Sequence, residues 1–423
     1  MMREAIEVLQ AARQTPPLIG LPALMKMAFS GVDLGPLGAS LLARAGSDPD
    51  DANALMDLST ILQLRGDRDV AMSMQAEALK TTPLYRFPVS EIPTRIRVLA
   101  VLGPGDLMAN TPLEFLIEDS EVALDMVYLG AGQPLPAILP EHDLVFIAVG
   151  ESEQNQPLLQ HVDALFRDWP VPVLNPANRI DKLSRDAACA MLANLPGVVM
   201  PVTVRVSREA LEKISRAESS IPDFLSDGDF PIIVRPIDSH AGRGLAKLDG
   251  PAGIAEYLSS APETEFYISR FVDYRGPDGM FRKCRVVLME GRPYVCHMAI
   301  SARWMVHYLN ADMLNSPENR AEEARFMAEF DSGFGARHAA AFAAIERASG
   351  LDYLGIDCGE TSDGKLLIFE VDSNMIVHAM DPVDVFPYKQ PQIRKVFEAF
   401  RQMLASRLEN SQARTSALDA IRK

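Results

Sequence analysis

Three carboxylates stand in runs that otherwise read as buried strand. Asp357 lies in YLGIDCGE, and Glu370 and Asp372 lie in LLIFEVDSN. Between them TSDGK supplies an Asp-Gly pair, the strongest short-range hairpin signal. A hairpin centred on Asp363-Gly364 sets Asp357 directly opposite Glu370. Asp372, two residues further along, shares that face. Opposed Cβ atoms about 5 Å apart bring like charges together, and burial raises the cost. A cation resolves the conflict, and hard oxygen donors with no His or Cys favour Mg²⁺. Neutralisation of a solvated face by Lys or Arg is the other reading of the same residues.

Magnesium held by a few carboxylates calls for phosphate nearby. FPIIVRPIDSHAGRGLAKL (230–248) offers it: an apolar strand carrying Arg235, then the loop Ser239, His240, Gly242, Gly244. Backbone N–H groups of such a loop can approach phosphate oxygens. GxxxxGK[ST] is missing, which excludes a P-loop NTPase. In FRKCRVVL, Lys283 and Arg285 lie two apart on a strand and share a face, as a clamp on transferring phosphate oxygens would require.

The surrounding chain must position these parts. Its 423 residues are too many for one ordinary core, and 48% apolar with 23% charged residues is ordinary globular composition. No apolar run reaches the roughly 18 residues of a membrane span. The net charge of −16 disfavours nucleic acid and anionic membranes as partners. Four isolated cysteines, without a CxxC pair, read as reduced buried thiols in a cytoplasmic protein.

Four regions follow. Residues 1–92 read as helical, with a tetratricopeptide-like helix pair broken at Gly66-Asp67; this segment is a candidate surface for a peptide or protein partner. Residues 93–177 alternate short V/I/L-rich strands with helices, a parallel α/β layer. After its first strand comes GPGDLMANTP, with Asn110 as a candidate substrate-loop residue. Residues 178–263 carry a helix over 178–196 and the glycine loop. Residues 264–423 are β-rich, with helices at 317–331 and 335–349.

The order of parts, from small α/β domain through glycine-loop strand and basic strand to a late D…E-x-D hairpin, resembles the ATP-grasp superfamily. It is closest in pattern to RimK-like and glutathione synthetase-like carboxylate–amine ligases, over residues 94–400. The resemblance implies an α/β (α+β) ATP-grasp fold with a preceding parallel α/β domain, and ATP with one or two Mg²⁺ (or Mn²⁺) ions. It implies an ADP-forming ligase that joins a small-molecule or peptide carboxylate to an amine through an acylphosphate. An ATP-grasp kinase and a non-catalytic ATP-binding scaffold are the alternatives, and a homodimer is an expectation of the family.

Residue by residue, the resemblance makes Asp357, Glu370 and Asp372 the metal ligands, with Asn374 able to share the role that Asp372 takes in place of the family's Asn. Arg235 stands where the family has a nucleotide-binding Lys. The second such Lys is Lys182 or Arg185. EFYISRFVDY supplies the adenine linker around Arg270 and Phe271, with Asp273 near the ribose. Arg303 joins Lys283 and Arg285 as a catalytic candidate, beside Trp304, His297 and His307 on the acceptor side; His378 follows the metal strand.

Overall fold

The computed structural model describes residues 16–88, 91–239 and 242–422; the expectation for His240 falls outside them. The chain divides into two compact units. One comprises Met1–Gly150, His161–Leu174 and Leu404–Lys423, the other Glu151–Gln160 and Asn175–Met403.

Among the described residues the first unit opens with four helices, α1 (Leu21–Phe29), α2 (Gly35–Ser47), α3 (Ala52–Leu64) and α4 (Arg68–Thr81). Their shared interior is Leu24, Leu34, Leu41, Ala54, Leu58 and Ile61. Asp51 caps α3 by accepting the Ala54 N–H at 2.9 Å, which satisfies one orphan donor of the first turn. Gly66, at φ +90°, makes the break between α3 and α4 that the Gly-Asp pair suggests. A sheet follows in the order β1-β3-β2-β4-β5, built from β1 (Leu84–Arg86), β2 (Ile96–Leu102), β3 (Val122–Tyr128), β4 (Leu144–Ile147) and β5 (Val173–Leu174). β2 runs parallel to β3 and β4, and β4 parallel to β5. Val145, Phe146 and Ile147 are fully buried, as continuous apolar runs in a parallel sheet should be. β1 adds an antiparallel edge to β3; three residues are too short to show periodicity. Helices α5 (Leu113–Leu116) and α6 (Gln156–Phe166) follow β2 and β4 in the chain.

The second unit holds a four-stranded antiparallel sheet and a five-stranded sheet whose last pairing alone is parallel. Pro201 separates β6 (Val198–Val199) from β7 (Thr203–Ser207), which belong to different sheets. The helix expected over 178–196 divides into α7 (Ala177–Ile180) and α8 (Arg185–Leu192), with the intervening residues in a turn. Helix α9 (Arg208–Ser215) is capped by Ser207, whose side chain accepts the Ala210 N–H at 3.2 Å. The four-stranded sheet runs β7-β10-β8-β9, with β8 (Ile232–Pro236), β9 (Ala246–Leu248) and β10 (Glu265–Arg270). Helix α10 (Pro251–Ser260) covers its apolar face through Ile254 and Leu258, which join a cluster with Ile232, Val234 and Phe266.

The five-stranded sheet runs β12-β11-β13-β14-β6. Its long strands are β11 (Phe281–Met289), β12 (Arg292–Ser301), β13 (Tyr353–Glu360) and β14 (Leu366–Asp372). Between β12 and β13 lie α11 (Pro317–Ala328), α12 (Phe334–Arg337) and α13 (Ala339–Ser349), and α14 (Lys389–Arg422) ends the described chain. All four cysteines are free and buried. Among the described residues no helix is long and apolar enough to cross a membrane.

Candidate functional site

Register fixes the site. His297 pairs with Arg285, Arg285 with Asp357, and Asp357 with Glu370. Directly paired residues point to one side of a sheet, so these four form a row across β12, β11, β13 and β14. The hairpin reaches this pairing by an unexpected route. Nearer the turn Cys358 pairs with Ile368 and Glu360 with Leu366, one residue out of step with a turn centred between Asp363 and Gly364. A bulge between Asp357 and Cys358 absorbs the slip and restores the Asp357–Glu370 pair.

The acids of the row meet different partners. Asp357 is 2% exposed; its carboxylate accepts from Lys283 Nζ at 2.8 Å and from Arg285 Nε and Nη2 at 2.9 and 3.2 Å. Burial alone would push its pKa up, but the two cations outweigh it and hold the carboxyl well below its usual range. Glu370 pairs with Arg185, whose other amino group donates to the Phe369 carbonyl at 3.1 Å. Burial raises Glu370, and Arg185 and Arg235 together bring it below its ordinary value. Asp372 accepts the Asn374 N–H at 3.0 Å. Burial and the neighbouring Glu370 push Asp372 up to about 7. Glu151 goes up to about 8 through burial and the charges of Asp238 and Asp372. Negative charge is thus neutralised around Asp357 and left in surplus toward Asp372.

A cleft of about 50 Å³ is lined by Glu151, Arg185, Asp238, Ser239, Glu370 and Asp372, with Tyr267 beside them. Arg185 lines this cleft, whereas Lys182 is exposed and lies outside it. Among the described residues no three His, Cys, Asp or Glu side chains close into a metal cage. Glu370 and Asp372 nevertheless suit an ion such as Mg²⁺, which takes one or two carboxylates and completes its shell with phosphate and water. Asp357, engaged by two cations, does not stand free to join them. Arg235 donates from Nε to Ser239 Oγ at 3.1 Å and from Nη2 to the Ser239 carbonyl. Burial and the nearby Arg185 push it down to about 10, so it is held against its own loop.

Further along the same face lies a larger cavity, about 420 Å³. Phe281 lines it, and Phe281, Lys283 and Arg285 alternate along β11, so Lys283 sits roughly 7 Å along the strand from the cavity wall. Phe271 and Trp304 meet edge to face there at 5.9 Å, with Lys247 Nζ 4.8 Å from the Phe271 ring centre. Asp273 and Arg303 complete the wall, Asp273 being paired with Arg275 at 2.5 Å. Residues expected at the adenine linker and at the acceptor side thus share one cavity. Arg270 does not: it binds Asp227 at 2.8 Å. The glycine loop borders the cavity, because a Cβ on Gly242 would lie 3.6 Å from Sδ of Met305 in its wall. At Gly244, φ +65°, a Cβ would meet Pro236 Cδ at 2.7 Å, so only glycine passes without a shift.

The remaining candidates have local roles. His297, beside Tyr308 at 4.7 Å, has its pKa pushed well below normal by burial and Arg285. His307 is lowered by burial and by Lys283. His378 Nδ1 accepts the Met380 N–H at 3.3 Å, and Asn374 is buried. Asn110, in the first unit, clamps Gly103 through both side-chain atoms at 2.8 Å, a loop-pinning arrangement. Glu151, Asp238 and Lys247 were not singled out by motif. Glu151 immediately follows the DLVFIAVG strand, a position where open α/β sheets place functional groups.

No protein-family model matches the chain, and no curated protein matches its sequence. Solved structures do. A RimK domain ATP-grasp protein from Sphaerobacter thermophilus is 18% identical, with 70% of this chain and 99% of that one covered and a TM-score of 0.38. D-alanyl-alanine synthetase A from Vibrio cholerae is 13% identical over 75% and 99% of the two chains, TM-score 0.44. The D-alanine-D-alanine ligase from Coxiella burnetii is 10% identical over 78% and 99%, TM-score 0.45. At such identities and TM-scores no function is carried over from any of them.

Proposed function

We propose that this protein is an ATP-dependent ligase that joins a small-molecule carboxylate to an amine through an acylphosphate, releasing ADP and phosphate. The observation that carries the proposal is the row Arg285–Asp357–Glu370 on one sheet face, with Lys283 between that row and an aromatic cavity large enough for a nucleotide base. In this reading Phe271 and Trp304 hold the base, and Asp273 lies toward the ribose. Glu370 and Asp372 would hold Mg²⁺, which supplies charge neutralisation on the phosphates. Asp357 fixes the ammonium of Lys283 and the guanidinium of Arg285, so that both are preorganised to stabilise charge on the transferring group. Arg185 supplies a third cation at the other end of the row. The loop with Gly242 and Gly244 would exclude water from the hydrolysable intermediate.

The test is calorimetric titration of ATP with and without Mg²⁺ on wild type and Glu370→Ala, followed by a screen of carboxylate and amine pairs for ADP release. Magnesium-dependent binding that the variant loses is the expected result. Absence of ATP binding by the wild type would refute the proposal. A non-catalytic nucleotide binder is the second reading, favoured by the full neutralisation of Asp357 within the chain. It predicts ATP binding with no ADP release for any substrate pair.

A further inference from the structure

A separate cavity of about 70 Å³ lies within the first unit. Side chains of α3 and α4 form one wall, and the loop after β2 with residues of β1 and β3 forms the other. Its lining includes three carboxylates, Asp57, Asp106 and Glu114, and two tyrosines, Tyr85 and Tyr128, but among the described residues no Lys, Arg or His. Two of the acids are committed. Asp57 accepts the N–H groups of Ile19 and Gly20 at 2.8 and 3.0 Å, and Asp106 pairs with Arg68 at 2.9 Å. Among the described residues Glu114 has no such cation, and burial pushes it up to about 7.

Tyr85 is 3% exposed, and among the described residues its hydroxyl finds no hydrogen-bond partner. Buried hydroxyls nearly always have a partner, and an orphan marks a place where something polar is wanted. Its ring meets that of Tyr128 edge to face at 5.8 Å. Met56 and Met126 supply apolar wall. Glu114 and Tyr128 keep partial exposure.

We propose that this cavity binds a small primary ammonium ligand, which donates to the Glu114 carboxylate and the Tyr85 hydroxyl beside the two tyrosine rings. An ammonium has three donors and no acceptor, which matches a wall rich in oxygen acceptors. Aromatic rings favour a cation near them, and an anion would meet three carboxylates. The site stands apart from the nucleotide reading of the second unit.

Ethylammonium chloride is a suitable probe, titrated into the full-length protein carrying ¹³C-methyl methionine, with sodium propionate as the anionic control. Saturable shifts of the Met56 and Met126 methyl signals with ethylammonium, and none with propionate, are expected. Tyr85→Phe should weaken binding about tenfold, and Glu114→Gln by at least that factor. Methyl spectra of the free variants that match wild type show that both remain folded; should one fail to fold, the other carries the test. Unmoved methyl signals would overturn the proposal, as would equal shifts with propionate or undiminished binding in a folded variant. A cavity that holds only water gives that negative result.

Discussion

Replacing Asp357 with Asn separates two roles for this residue. In the folded chain its carboxylate accepts three charge-assisted hydrogen bonds from Lys283 and Arg285. The side chains of the three are 3%, 17% and 24% exposed, so solvent screens the pairs little. Removing the anion leaves two largely buried cations uncompensated, a loss of about 3–5 kcal/mol. For a unit of this size each kcal/mol moves the midpoint by about 2–4 °C, so the fall should be roughly 10 °C. Thermal unfolding by circular dichroism at pH 7, without nucleotide or metal, is the assay.

The pH dependence has a definite sign. Asp357 is held well below its unfolded value in the native state, near 3.9 for an unperturbed Asp. Its contribution is therefore fully present above about pH 4 and fades as pH falls through the lower folded value. The gap between wild type and Asp357→Asn should be constant from pH 5 to 8 and narrow below about 4. Adding Lys283→Met to Asp357→Asn removes one of the stranded cations and should restore part of the loss. A variant that melts within about 1 °C of wild type at pH 7, far inside the shift expected for a buried pair, would refute the reasoning. Asp357 would then be an unengaged carboxylate, available to a metal.

Gly244→Ala should impair Mg-ATP binding and lower the midpoint by a few degrees, because φ +65° and the 2.7 Å approach to buried Pro236 at the end of β8 strain the loop; calorimetry and a melt on the same sample check both halves. Trp304→Ala should weaken ATP about tenfold by removing one aromatic wall of the 420 Å³ cavity, measured by the same titration. Asp57 has its pKa raised to about 6, chiefly by burial, so the folded state favours its protonated form. Its stabilisation is complete below about pH 4 and is lost as pH rises through about 6, an effect of roughly 3 kcal/mol. Urea unfolding of wild type and Asp57→Asn between pH 4 and 7 should show that slope in the first protein and not in the second.

The parts of the site that follow a period of two were legible in the sequence. Alternation places Lys283 with Arg285 and Glu370 with Asp372 whatever the rest of the chain does. The Asp-Gly turn pointed to Asp357 opposite Glu370, but the pair is kept only by a bulge that no residue pattern announces. Where local signals were broken, legibility ended. A helix drawn unbroken from 178 to 196 leaves Lys182 and Arg185 equivalent. The turn between α7 and α8 sends the first to solvent and the second to Glu370. Glu151 and Asp238 come from loops remote in sequence, and the orphan hydroxyl of Tyr85 exists only because helices and sheet pack around it.

The opposed carboxylates also explain why a single resolution of their repulsion was too simple. Asp357 is met by a Lys and an Arg on the adjacent strand, and Glu370 by an Arg from a helix. Asp372, one step further, is raised by burial and Glu370 instead, and Glu151 nearby is raised as well. Internal cations therefore saturate one end of the patch and leave the other short of positive charge. An added cation gains most where the surplus lies, beside Glu370 and Asp372, and little at Asp357. This polarity makes Asp357 an anchor for Lys283 and Arg285 and, in the proposed reading, leaves the end of β14 as the place for a metal.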